Sequence, residues 1–117
     1  MKVEKHLALD VLLKDIQGTT GNKYLKEYRF DAKRRWRFDV AFPAVKVAIE
    51  IEGGVWNYGR HNRASGFLKD LEKYNSAVEQ GWCILRYTWD EIEKASIYEQ
   101  IVSTIENRKK IISYRVG

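Results

Sequence analysis

Val3, Leu7 and Val11 recur at helical spacing, predicting a helix over residues 3–16 that Gly18 and Gly21 bring to an end. Residues 24–30 read as a strand, and a short break covers 31–33. Residues 36–42 then alternate between apolar and polar positions, Pro43 and Ala44 mark a turn, and 46–52 is again strand-like. A loop with four glycines runs from Gly53 to Gly66. Phe67, Leu71, Tyr74 and Val78 predict a second helix closed by Gly81, and residues 82–87 read as a buried strand. Thr88 with Glu91 and Ser96 with Glu99 have capping-box spacing, predicting a short helix that hands over to a longer one ending near Lys110. The order is helix, three strands, helix, strand, helix. It predicts an α/β fold in one domain over residues 1–117, without repeats or linkers.

If the two central strands form a hairpin about a turn at 43–46, Phe42 faces Val47, Val40 faces Ile49 and Asp39 faces Glu50. Period-two alternation then puts Trp36, Phe38, Val40 and Phe42 with Val47, Ile49 and Ile51 on one apolar face. The other face carries Arg37, Asp39 and Ala41 beside Ala48, Glu50 and Glu52, which predicts an open surface where Asp39, Glu50 and Glu52 gather. Like charges directly opposite one another repel, so a cation is needed there. A hard dication such as Mg2+, held by carboxylate oxygens and water, meets that need and would activate water for attack on a phosphoryl group. Neutralisation by Arg37 and Lys46 on a solvated surface meets it too, and spacing alone leaves both readings open.

Charge sharpens the first reading. Lys and Arg number 21 against 16 Asp and Glu, a net charge of +5. The excess is clustered in Lys33, Arg34, Arg35 and Arg37, in Arg60 and Arg63 flanking His61, and in Arg108, Lys109 and Lys110. Such clusters suit a phosphate backbone, although basic runs are also ordinary solvated faces. His61 shares its loop with Trp56, Tyr58, Arg60 and Arg63, a mixture suited to base stacking and phosphate contact. Cys83 is the single cysteine, which excludes an intramolecular disulfide and a cysteine-built zinc site. A charged start at residues 1–6 and the lack of a long apolar run predict a soluble protein in a reducing, cytoplasmic setting, with no membrane partner.

Asp39, ten intervening residues and then Glu50-Ile51-Glu52 resemble the active-site signature of the PD-(D/E)XK, or restriction-endonuclease-like, nucleases. Residues 35–39 (Arg-Trp-Arg-Phe-Asp) and 48–54 (Ala-Ile-Glu-Ile-Glu-Gly-Gly), the His61 loop, Asp70 with Lys73-Tyr74-Asn75, and Gly81-Trp82 with Leu85-Arg86 are similar to its compact phage-type and very-short-patch-repair-like members. The resemblance spans roughly residues 3–87. It implies a mixed sheet in a core of order αβββαβ plus a C-terminal helix. It also implies Asp39 and Glu50 as Mg2+ ligands (Mn2+ substituting), the Ile51 carbonyl as a third oxygen, and the cytoplasm of a phage or bacterial host. Where the family usually has lysine this chain has Glu52. Glu52 then serves as a metal ligand or general base, or Lys69 or Lys73 of the following helix supplies the missing cation. Strand alternation favours Glu52, because it projects from the face of Glu50.

Glu27 reads either as an additional acid reaching the site or as a plain exposed strand residue, and Glu4 and Asp10 are further acids on the first helix. Arg34, Arg35, Arg37, Arg60, His61 and Arg63 are the expected DNA contacts. Trp82 and Leu85 read as core. The function expected is metal-dependent DNA endonuclease activity in recombination or repair. A structure-selective homodimer of Holliday junction resolvase type comes first, ahead of nicking in repair, restriction-like cutting and homing. The contrasting class is a binding module that keeps the fold but has lost activity through the lysine-to-glutamate change.

Overall fold

Alternating side chains and the Pro43 turn set a hairpin in the predicted register, with Phe42 opposite Val47, Ala41 opposite Ala48 and Val40 opposite Ile49. The computed structural model describes residues 2–53 and 63–116. Its elements are α1 (Lys2–Thr20), β1 (Leu25–Arg29), β2 (Arg37–Phe42), β3 (Val47–Glu52), α2 (Arg63–Glu79), β4 (Cys83–Thr88) and α3 (Ala95–Val116). The sheet runs β1-β2-β3-β4. Its first three strands are antiparallel neighbours, while the crossover through α2 makes β4 parallel to β3. The described residues thus form an α/β fold with a four-stranded mixed sheet, and no helix among them is long and apolar enough to cross a membrane.

The two sheet faces differ. Val40, Phe42, Val47 and Ile49 pack with Leu9, Leu12, Leu13 and Ile16 of α1 and Ile97, Ile101 and Ile105 of α3, a continuous apolar layer. The other face holds a smaller cluster of Phe38, Ala41, Ala48, Ala77 of α2 and Trp82. Ala41 and Ala48 are fully buried, so the face expected to be open is covered. Phe38 also departs from expectation, because it lies in this second cluster and not beside Val40. Trp36 stacks on Phe30, whose ring stacks on Phe38 at 4.2 Å.

The phase slip has a local cause. Pairing of β1 with β2 passes from Lys26–Val40 to Tyr28–Phe38, so Glu27 and Asp39 meet where the ladder skips a pair. Glu27 has φ 50°, a left-handed conformation that is uncommon outside glycine and breaks the pleat.

Several element boundaries move. Helix α1 continues through Gly18 to Thr20, and Gly21 at φ 74° follows its end. Helix α2 begins at Arg63, so Gly66 is helical, at a cost of about 1 kcal/mol relative to alanine that does not stop the helix. Gly81, at φ 91°, closes α2 as predicted. Trp82 N–H donates to the Ala77 carbonyl at 3.0 Å and Gly81 N–H to that of Val78 at 2.9 Å, while Trp82 packs near Ala77. Strand β4 is a half-buried edge and not a buried strand. The short helix expected after Thr88 is a run of turns, although Glu91 does accept the Thr88 N–H at 3.0 Å. Helix α3 passes Lys110, and Ile112 extends its apolar stripe. Two residues of the C-terminal basic cluster bind other segments: Arg108 donates to the carbonyls of Val45 (3.0 Å) and Gly81 (2.8 Å), and Lys109 to that of Thr20.

Candidate active site

Beyond the Val40–Ile49 pair the β2–β3 ladder gives way to side chains. Asp39 N–H donates to Glu50 Oε2 at 2.8 Å, and Ile51 N–H donates to Asp39 Oδ2 at 2.7 Å. Each acid therefore caps a backbone group of the opposite strand, which fixes both carboxylates at the break. Helix α2 supplies the rest. Lys73 Nζ and Tyr74 Oη both donate to Glu50 Oε1 at 2.8 Å, and the side chains of Glu50 and Lys73 are 7% and 17% exposed. Phe38 and the Tyr74 ring flank the Lys73 ammonium at 5.8 and 5.2 Å. Charges this far from water need paired partners, and here they have them.

Burial pushes the Asp39 carboxyl up to about 6. The Ile51 N–H opposes that rise, the Glu50 and Glu27 charges add to it, and Lys73 partly offsets it. Tyr74 is likewise pushed well above its ordinary value by burial and by Glu50, so it stays a donor. Glu52 projects from the same face of β3 but is held by Arg86, which donates to both of its oxygens at 2.9 and 3.1 Å. The Arg86 guanidinium also lies 4.6 Å from the centre of the Tyr74 ring. The site is thus two acids with Lys73 and Tyr74, and beside it a Glu52–Arg86 pair. The expected gathering of all three acids does not occur, because β4 places an arginine opposite Glu50 in register and within reach of Glu52.

The donor set can be tested against Mg2+. Among the described residues no three acids, histidines or cysteines form a ready-made cage. Mg2+ does not need one, since it is commonly bound by one or two carboxylates with water and substrate phosphate completing the shell. Asp39 Oδ1 accepts no hydrogen bond from the described residues. A half-buried carboxyl raised by burial, and further by the Glu50 and Glu27 charges, is one that a cation would relieve. Asp39 can offer an oxygen to a hard dication on these grounds, whereas both oxygens of Glu50 already accept hydrogen bonds and one donor would have to give way.

The other candidates fall into place around this site. Glu27 is exposed but close enough to act on Asp39. Asp10 pairs with Lys26, Glu4 is exposed, and Lys69 and Asp70 are exposed on α2, so Lys73 and not Lys69 reaches the acids. Arg34 lies 4.6 Å over the Trp36 ring and 3.5 Å from Glu72, while Lys33, Arg35 and Arg37 are exposed. Trp56, Tyr58, Arg60 and His61 lie outside the described residues, and Arg63 is described only as the first residue of α2. Sequence reading did not single out Asp31 or Arg29, and gave Tyr74 and Arg86 no role. The parallel pairing of Glu50 with Arg86 depends on a crossover register that no local pattern prints. Comparison with protein-family models, with curated proteins and with solved structures finds no match.

Proposed function

We propose that this chain is a metal-dependent DNA endonuclease of the PD-(D/E)XK kind that hydrolyses phosphodiester bonds with Asp39, Glu50 and Lys73. One observation carries the reading: two carboxylates locked at a break in the central hairpin, with a nearly buried lysine delivered to one of them from the crossover helix. A bound Mg2+ or Mn2+ would supply a water of lowered pKa and would stabilise charge on the phosphoryl group. Asp39 and Glu50 would hold that ion, with the Ile51 carbonyl as a further oxygen. The Lys73 ammonium lies beside Glu50 where phosphate charge must be accommodated, and Tyr74 orients the same carboxylate. Lys73 thereby takes the cationic role that Glu52 does not fill, and Glu52 sets the position of Arg86.

Within this class we favour branched DNA as substrate and a homodimer presenting two sites to two strands, on the resemblance given above. The test is cleavage of labelled four-way junction, flap and duplex DNA with Mg2+, Mn2+ or chelator. Paired, metal-dependent cuts near the junction centre support the narrow reading, and equal cutting of plain duplex replaces it with a nicking or restriction-like enzyme. A second reading, a binding module without activity, draws on the three donors already gathered on Glu50, and it predicts DNA binding with no scission under any metal.

A further inference from the structure

The segment joining β1 to β2 is fastened at several points. Asp31 Oδ1 accepts the backbone N–H groups of Lys33 and Arg34, each at 2.8 Å, and Asp31 Oδ2 accepts the Gln80 side-chain amide at 3.1 Å, just beyond α2. Arg29 Nε donates to the Arg34 carbonyl at 3.1 Å, and Phe30 N–H to that of Trp36 at 3.4 Å. The Arg34 guanidinium lies over the Trp36 ring, and that ring stacks with Phe30.

This bracing leaves Arg29, Lys33, Arg35 and Arg37 exposed, and among the described residues none of them has a carboxylate partner. Arg29 and Arg37 are direct cross-strand partners, an arrangement that costs stability unless an anion lies between or over them. Four cations with no ion-pair partner among the described residues, the last of them two residues from Asp39, are matched by a partner with regularly spaced negative charges.

We propose that Arg29, Lys33, Arg35 and Arg37 form one preorganised surface for a nucleic-acid phosphate backbone, with Asp31 as the residue that positions it. The inference rests on the DNA reading above and deepens it by assigning the binding track. Arg34, engaged with Trp36 and Glu72, belongs to the bracing and not to the track.

The role of Asp31 has a consequence opposite to simple charge counting. Removing an acid from a DNA-binding surface ordinarily tightens binding, whereas loss of this acid frees the loop. Affinity for a labelled duplex in chelator, measured across a salt series, separates the two. Asp31→Ala should bind roughly tenfold more weakly, with the slope of log affinity against log salt shallower by about one to two, near 0.9 per lost phosphate contact. Asp31→Asn, whose amide oxygen can still accept both N–H groups, should bind at least as tightly as wild type with the wild-type slope. Arg29→Ala with Arg37→Ala should flatten the slope by about two, and Arg34→Ala should leave it unchanged. Thermal melting checks that each variant is folded. Tighter binding by Asp31→Ala, or wild-type slopes in the Arg29/Arg37 double variant while wild type still cuts DNA, would overturn this assignment alone. Wild-type protein that neither binds nor cuts DNA would overturn the nuclease reading with it.

Discussion

The sheet has one face built for cohesion and one that tolerates charge. Toward α1 and α3 the described residues form a layer made chiefly of aliphatic and aromatic side chains, many with no exposed surface, and truncation there opens a cavity. Toward α2, small alanines and the Phe38–Trp82 aromatic group make room for Glu50, Lys73, Tyr74 and Asp39. Replacing such groups by an apolar packing of the same volume is often neutral or stabilising. On the proposed reading, their presence serves chemistry on that face. The left-handed Glu27 opposite Asp39 is a second departure from the lowest-energy backbone at the same place.

The largest effect belongs to the apolar face. Ile101→Ala should cost about 2–5 kcal/mol in urea denaturation, because Ile101 is fully buried between α3 and the sheet. Next comes the buried pair. Lys73→Met leaves Glu50 charged without its cation and should destabilise the protein by about 3 kcal/mol, while the Lys73→Met/Glu50→Gln double variant should recover much of the loss. Strict additivity of the two substitutions would show that Lys73 and Glu50 do not act as a pair.

These expectations also mark where sequence reading succeeds and stops. The Val40–Ile49 register, the crossover helix and its Gly81 closure follow from period-two alternation, a proline turn and a glycine, all local signals. Asp39 and Glu50 follow from the same register. The assignment of Phe38 to the α1 and α3 face fails because alternation assumes an unbroken pleat, and the slip at Glu27 and Asp39 has no signature in residue type. The partners of Glu50 and Glu52 are not legible for a related reason. Alternation correctly puts Glu52 on the face of Glu50, but tertiary packing decides which cation each acid meets.

A smaller effect sharpens the account of Asp39. Its folded pKa is raised from the unfolded value of 3.8 to about 6, so its protonation contributes stability that is full below 3.8 and lost as pH rises through 6. Wild type should therefore lose melting temperature relative to Asp39→Asn between pH 4 and pH 7, and Mg2+ at pH 7 should narrow the gap. A constant difference across this range would contradict the assigned environment. The smallest effect belongs to Glu52. Its pairing with the partly exposed Arg86 should make Glu52→Gln cost about 1 kcal/mol or less in stability, with a modest fall in single-turnover rate. A fall as deep as that of a metal-ligand variant would return Glu52 to the chemistry.

Single-turnover cleavage of a labelled four-way junction across a Mg2+ titration, with wild type beside Asp39→Asn, asks most directly whether the charged face is catalytic. Wild type should cut only with metal and saturate as Mg2+ rises. Asp39→Asn should be slower by roughly a thousandfold, the several kcal/mol that metal-assisted phosphoryl chemistry supplies, with its fold and DNA affinity retained. Cleavage by Asp39→Asn at the wild-type rate, or cutting by wild type undiminished in chelator, would contradict a metal-dependent site at Asp39 and Glu50.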